Sequence, residues 1–210
     1  MMKRLLYIPI VHNQSDMGSL GNALSNQGGG KYGSDVWNDH VEQVDQSWNK
    51  IETEISNRVV EISPEKIKIY QDGLPVVDEM GIKIVKDAAE KGSINYSIID
   101  NLLTRGAKLE IAENKDYLLR EYYLLSDIAK AETPENTLKA YLLYQEESKK
   151  ILQQRDNHIA NQINLTLQDG EVGIAFFGAA HSITNKLDKD IDVDVIQMFT
   201  DPVSLNLIQV

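Results

Sequence analysis

Cysteine is absent from these 210 residues. No disulfide can staple the fold, and thiolate metal sites and thiol nucleophiles are excluded. Membrane-length apolar runs are missing too. The N-terminal run "LLYIPIV" has only seven residues, far short of the roughly 20 that a spanning helix needs. Lys3 and Arg4 precede it as in an export signal. Pro9 interrupts the run, however, and "HNQSD" follows without a small-residue cleavage site, so a first β-strand is expected. Positive charge is scarce: Lys and Arg number 21 against 32 Asp and Glu, for a net charge of −11. Such a surface repels nucleic-acid backbones and anionic lipid. The expectation is a soluble cytoplasmic protein that binds neither nucleic acid nor membrane.

The residues that are present suit one core. Hydrophobic residues make up 42% of the chain and charged residues 25%, which fits a single α/β domain over 1–210. Lys3–Val11 and 172–177 read as buried strands. Residues 66–71, 107–113 and 192–199 read as three more. Between them, apolar residues recur at three and four positions over 36–58, 76–90, 94–104 and 115–131. A last helix opens at Thr133-Pro134 and meets no breaker until about Gln168, close to Asp169-Gly170. Strands alternating with helices predict a mainly parallel sheet of about five strands, covered by helices, with one long helix near 134–168. That helix is also the expected contact of a homo-oligomer, because a helix outrunning its domain exposes an apolar flank. The glycine cluster "GGGKYG" at 28–33 lacks the Walker spacing and reads as a flap over the strand ends or as a disordered connection.

In parallel α/β sheets, ligands sit beyond the carboxyl ends of the strands. The first strand ends at His12 and the fourth at Gly178-Ala179-Ala180-His181. The second ends near Gln71-Asp72, and the third contains Glu110 and is followed by Glu113. Two histidines and a carboxylate at one edge are a donor set for a divalent metal that activates water. Without metal, one histidine can act as general base while the other polarises the substrate. On the long helix, Arg155 lies one turn from Ile159, at or beside the apolar face. A buried arginine needs an acidic partner, so the expectation is that Arg155 holds a carboxylate of the site or an anionic group of the substrate, or else lies exposed on the helix flank.

The stretch Arg155-Asp156-x-x-Ile159-Ala160-x-x-Ile163, then Gly170, an apolar strand and Gly178-Ala179-Ala180-His181, resembles the C-terminal part of the TraB/GumN/Tiki superfamily. ChaN-like and erythromycin-esterase-like proteins are related branches. The family pairs an Arg-Asn helix motif with a strand ending in Gly-x-x-His, and it has a second histidine after its N-terminal strand. Here Asp156 stands in place of that asparagine, and "YIPIVH" supplies His12 with Pro9 in place of the glycine. The family's acidic residue after the second strand, usually Glu, is met by Gln71-Asp72. The resemblance implies a hydrolase of small-molecule or peptide substrates, with His12 and His181 as metal ligands or acid–base groups. Asp72 or Glu110 would complete the metal shell or act as base, and Arg155 would steady an anionic intermediate. The alternative is a catalytically inactive binding or regulatory protein on the same scaffold, which the missing glutamate favours.

Overall fold

Leu5-Leu6-Tyr7-Ile8 is apolar at every position, so the strand it forms must be covered on both faces. The computed structural model describes residues 2–10 and 34–197, and the side chains of 2–10 and 46–197. In it, β1 (Lys3–Ile10), β2 (Ile67–Gln71), β3 (Lys108–Glu110), β4 (Val172–Gly178) and β5 (Ile191–Val195) form one all-parallel sheet in the order β3-β2-β4-β1-β5. The described helices are α1 (Ser34–Val59), α2 (Glu79–Glu90), α3 (Ile94–Thr104), α4 (Lys115–Lys130) and α5 (Pro134–Thr166). The expected α/β class holds, and the long helix is there. The third strand is shorter than expected, and the fifth ends at Val195. His12, the 28–33 glycine cluster and the His40 side chain lie outside the described residues.

Strand alternation divides the core. Leu6, Ile8, Ile69, Ile174 and Phe176 point to one face, where Trp48, Ile51 and Ile55 of α1 and the apolar sides of α2 and α3 cover them. Leu5, Tyr7, Tyr70, Ala175 and Phe177 point to the other face, against Ile159, Ile163 and Leu167 at the C-terminal end of α5. Pro9 sits inside β1 at no cost to the ladder. β5 pairs with β1 only as far as Tyr7, so the missing N–H falls beyond that ladder.

The helices start where side chains satisfy their free amides. Asp78 accepts from Met80 and Gly81, Asn114 from Asp116 and Tyr117, and Thr133 from Asn136 ahead of Pro134. At the amino edge of the sheet, the Lys68 ammonium reaches Glu110 (3.2 Å) and Glu171 (3.1 Å). It also donates to the Thr166 carbonyl at the end of α5, where a cation complements the helix dipole. Only the C-terminal part of α5 lies on the sheet: its buried residues begin at Ile151. The preceding part runs beside α4, and Arg120 donates to Glu147 (3.5 Å) across the hairpin.

Gly173 in β4 has no room for a side chain. A Cβ there would stand 2.6 Å from Leu5 Cδ1 and 3.1 Å from Tyr70 Cε2. Gly173→Val should therefore destabilise the fold by about 1–3 kcal/mol through overpacking. The measurement is the urea midpoint at unchanged slope, and an unchanged midpoint would show that Leu5 and Tyr70 give way freely.

Candidate functional site

β2 and β4 are neighbours whose following segments leave for opposite edges of the sheet. The chain runs from β2 through α2 and α3 to β3, and from β4 to β5. Such a reversal opens a crevice at the strands' carboxyl ends. Asp72 follows β2 directly and bridges this point. Its backbone N–H donates to the Phe176 carbonyl (2.8 Å), and its Oδ2 accepts from the Gly178 backbone N–H (2.8 Å). Gly73 then turns the chain at φ +72°, a conformation open to glycine.

The strand period decides between the two candidates at the end of β2. Gln71 points to the α1 face, where its Oε1 accepts from Asn95 (3.2 Å) and its Nε2 donates to the Asp72 carbonyl (3.2 Å). Asp72 points to the α5 face, where Arg155 arrives. The Arg155 guanidinium holds three carboxylates. Nη2 donates to Asp72 Oδ1 (2.5 Å) and Glu113 Oε1 (2.5 Å), Nε to Glu113 Oε2 (3.2 Å) and Nη1 to Glu121 Oε2 (2.6 Å). The two bonds to Glu113 form a bidentate fork. The expectation that Arg155 grips carboxylates of the site therefore agrees with the geometry, and four of its N–H groups are spent on them.

Asp156 is next along α5 and faces the same side. Its Oδ1 lies 2.6 Å from His181 Nδ1, and its Oδ2 accepts from the Ser182 backbone N–H (3.1 Å). The other ring nitrogen, Nε2, faces Asp72 Oδ2 at 3.6 Å, beyond hydrogen-bond length. Gly178-Ala179-Ala180 carries the chain round to this position: Ala179 N–H bonds the Ile10 carbonyl (3.0 Å), and His181 N–H bonds that of Gly178 (2.9 Å). The Phe177 ring meets the imidazole edge-on, and the Tyr7 hydroxyl donates to the His181 carbonyl (3.3 Å). Burial, reinforced by Asp156 and Asp72, pushes the Tyr7 phenol up to about 12, so it stays a donor.

Of the residues singled out from the sequence, Asp72, Arg155 and His181 meet here. Glu110 does not join them. Level with Tyr70 in the register, it pairs with Lys68 instead, and Glu113, beyond the strand, takes the place expected of it. Glu113 and Asp156 stood in view in the sequence without roles, and Glu121 went unnoticed. For Glu113 and Glu121 the signal was the demand of a buried arginine for acids.

Four carboxylates, of Asp72, Glu113, Glu121 and Asp156, thus surround one guanidinium and one imidazole. Burial alone would lower the Arg155 pKa. The charges of Asp72, Glu113 and Glu121 outweigh it and hold the group charged, with its pKa raised. The Glu113 carboxyl is pushed up by burial, and Asp72 adds to the shift; Arg155 opposes without cancelling it. The excess acid gathers groups that could hold a metal. Ligand atoms of Asp72, Glu113 and His181 lie within 4.8 Å of one another. One imidazole nitrogen and two carboxylate oxygens form a mixed donor set suited to a divalent transition metal, and Asp156 orients the imidazole from behind.

Compared with known proteins, the chain matches no family model, no curated protein and no solved structure. The TraB/GumN/Tiki resemblance rests on the residues quoted for it. Among the described residues, no helix is long and apolar enough to cross a membrane.

The state of Glu113 can be read from stability. Its raised pKa means that the folded protein binds this proton more tightly than the unfolded chain does. The resulting stabilisation is full below the ordinary value of 4.5 and is lost as pH rises through the folded pKa. Wild type should therefore lose stability relative to Glu113→Gln as pH rises from that value. A constant gap between the two urea midpoints would show that Glu113 titrates as it does in the unfolded chain.

Proposed function

We propose that this chain is a hydrolase of carbonyl substrates, esters or peptide-type amides, with its reaction centre where β2 and β4 end. The observation that carries this reading is the Asp156–His181 pair: a 2.6 Å contact at Nδ1, with Nε2 left facing Asp72 and Glu113. With Nδ1–H donated to Asp156, the Nε2 lone pair is free to take a proton from water as it attacks a carbonyl. Asp156 fixes the ring's tautomer and orientation and supports the imidazolium that forms. The proton then passes from Nε2 to the leaving group. Arg155 acts as a positioning residue, holding Asp72 and Glu113 in place from α5.

The convergence of Asp72, Glu113 and His181 favours a second way of activating the same water. A divalent cation held by these three would supply Lewis acidity and lower the pKa of a bound water. His181 Nε2 would then be a ligand, and Asp156 would still orient the ring.

The test is turnover of a panel of p-nitrophenyl esters and chromogenic peptide amides by protein purified without a His tag. His181→Ala should lower kcat/KM by roughly 10²–10⁴-fold, the usual worth of a positioned acid–base group. Asp156→Asn should lower it with KM little changed. Activity that survives exhaustive chelation supports the imidazole base. Activity lost on chelation and restored by one divalent metal supports the cation. Turnover unchanged in His181→Ala would sink both.

A further inference from the structure

From Pro134 to Lys150, the first half of α5 has no buried side chain. Its neighbour α4 buries only Ser126. Yet the hairpin is rich in large apolar residues left in water: Leu119 (38% exposed), Tyr122 (44%), Tyr123 (60%), Leu138 (59%), Tyr141 (49%) and Leu142 (60%). Taking each as about half exposed and about 200 Å² in full, these amount to roughly 600 Å². Summed over the two helices, that equals the largest single apolar patch of a typical monomer.

The charge on the hairpin points to its occupant. Residues 115–150 carry six basic and seven acidic side chains, almost balanced, while the whole chain is at −11. Two copies meeting at this hairpin face little of the repulsion that the whole chain's charge imposes. The pattern along α5 is also self-complementary. Glu135, Leu138, Leu142, Gln145 and Lys149 are spaced three, four, three and four apart, so they form one seam of the helix, and all five are exposed. The seam is acidic at its start, apolar in its middle and basic at its end. When two such helices lie antiparallel with the two-fold axis at Leu142, Leu142 meets its own copy. Glu135 and Lys149 are equidistant from the axis, so each Glu135 faces the Lys149 of the other copy. A parallel pairing would set like charges against each other.

We infer that the α4–α5 hairpin is the interface of an isologous homodimer in which the α5 seams of two copies pack antiparallel across Leu142. The interface is separate from the reaction centre, which takes the other half of α5.

Analytical ultracentrifugation of the full chain over roughly 1–100 μM should show a dimer. Leu142→Glu should weaken association at least tenfold with unchanged circular dichroism, since the residue is exposed in the monomer, and its melting temperature should equal that of wild type at concentrations where both are monomeric. Glu135→Lys and Lys149→Glu should each weaken the dimer several-fold, and the two together should restore it. That rescue is open only to a self-complementary antiparallel pair. A monomer throughout this range, an unaffected Leu142→Glu dimer, or a double swap no better than its singles would overturn the inference.

Discussion

A single buried guanidinium ties the site together. Arg155 on α5 reaches Asp72 after β2, Glu113 ahead of α4 and Glu121 within α4. These three acids come from separate parts of the chain and would repel one another without the cation between them. Burying an ionised carboxylate is expensive unless it is paired and hydrogen-bonded. Once Ile159 and Ile163 have seated α5 on the sheet, the path of the chain before α4 and the docking of α4 answer to this one charge. A lysine would not serve, because the fork onto Glu113 needs donors in a rigid plane.

That cation does not balance the cluster around it. It satisfies most of the acid but not all of it. Glu113 is left leaning toward its protonated form, and Asp156 is turned away to hold His181. The imidazole is thereby aimed into the residual negative field with one nitrogen open. The small residues before it have a structural reason. Gly178 and Ala179 lie close enough to give their backbone amides to Asp72 and to the end of β1. The loop can then fold tightly enough to bring His181 back over the strand ends.

The long helix divides its labour along its length. Ile159 and Ile163 seat its C-terminal half on the sheet, and Arg155 and Asp156 are delivered from the same half. A helix of this length spans about 50 Å at 1.5 Å per residue, more than the sheet can cover. The first half therefore stands clear with α4 as its only long companion among the described residues, and its leucines and tyrosines stay in water. The proposed reaction centre and the proposed interface lie on the same helix and use opposite halves of it.

Much of this was legible in the residues themselves. Local patterns are properties of neighbours in sequence, so uninterrupted apolar runs, the Thr133-Pro134 start and the Asp169-Gly170 stop located β1, β4 and α5 closely. The alternation of strand and helix implied the parallel sheet, and the rule for such sheets directed attention to Asp72 and His181. Strand order and register were not local. Whether Glu110 or Glu113 meets Asp72 depends on where β3 stops beside β2, a matter of a few ångströms that no spacing encodes. The Asp156–His181 contact joins residues 25 positions apart, and it exists only because α5 crosses the sheet beside the end of β4. The sequence by itself determined which side chains were available and which segments carried them. Tertiary packing decided which acids the buried arginine would gather, because that choice is made by charges brought together only when the helix closes over the sheet.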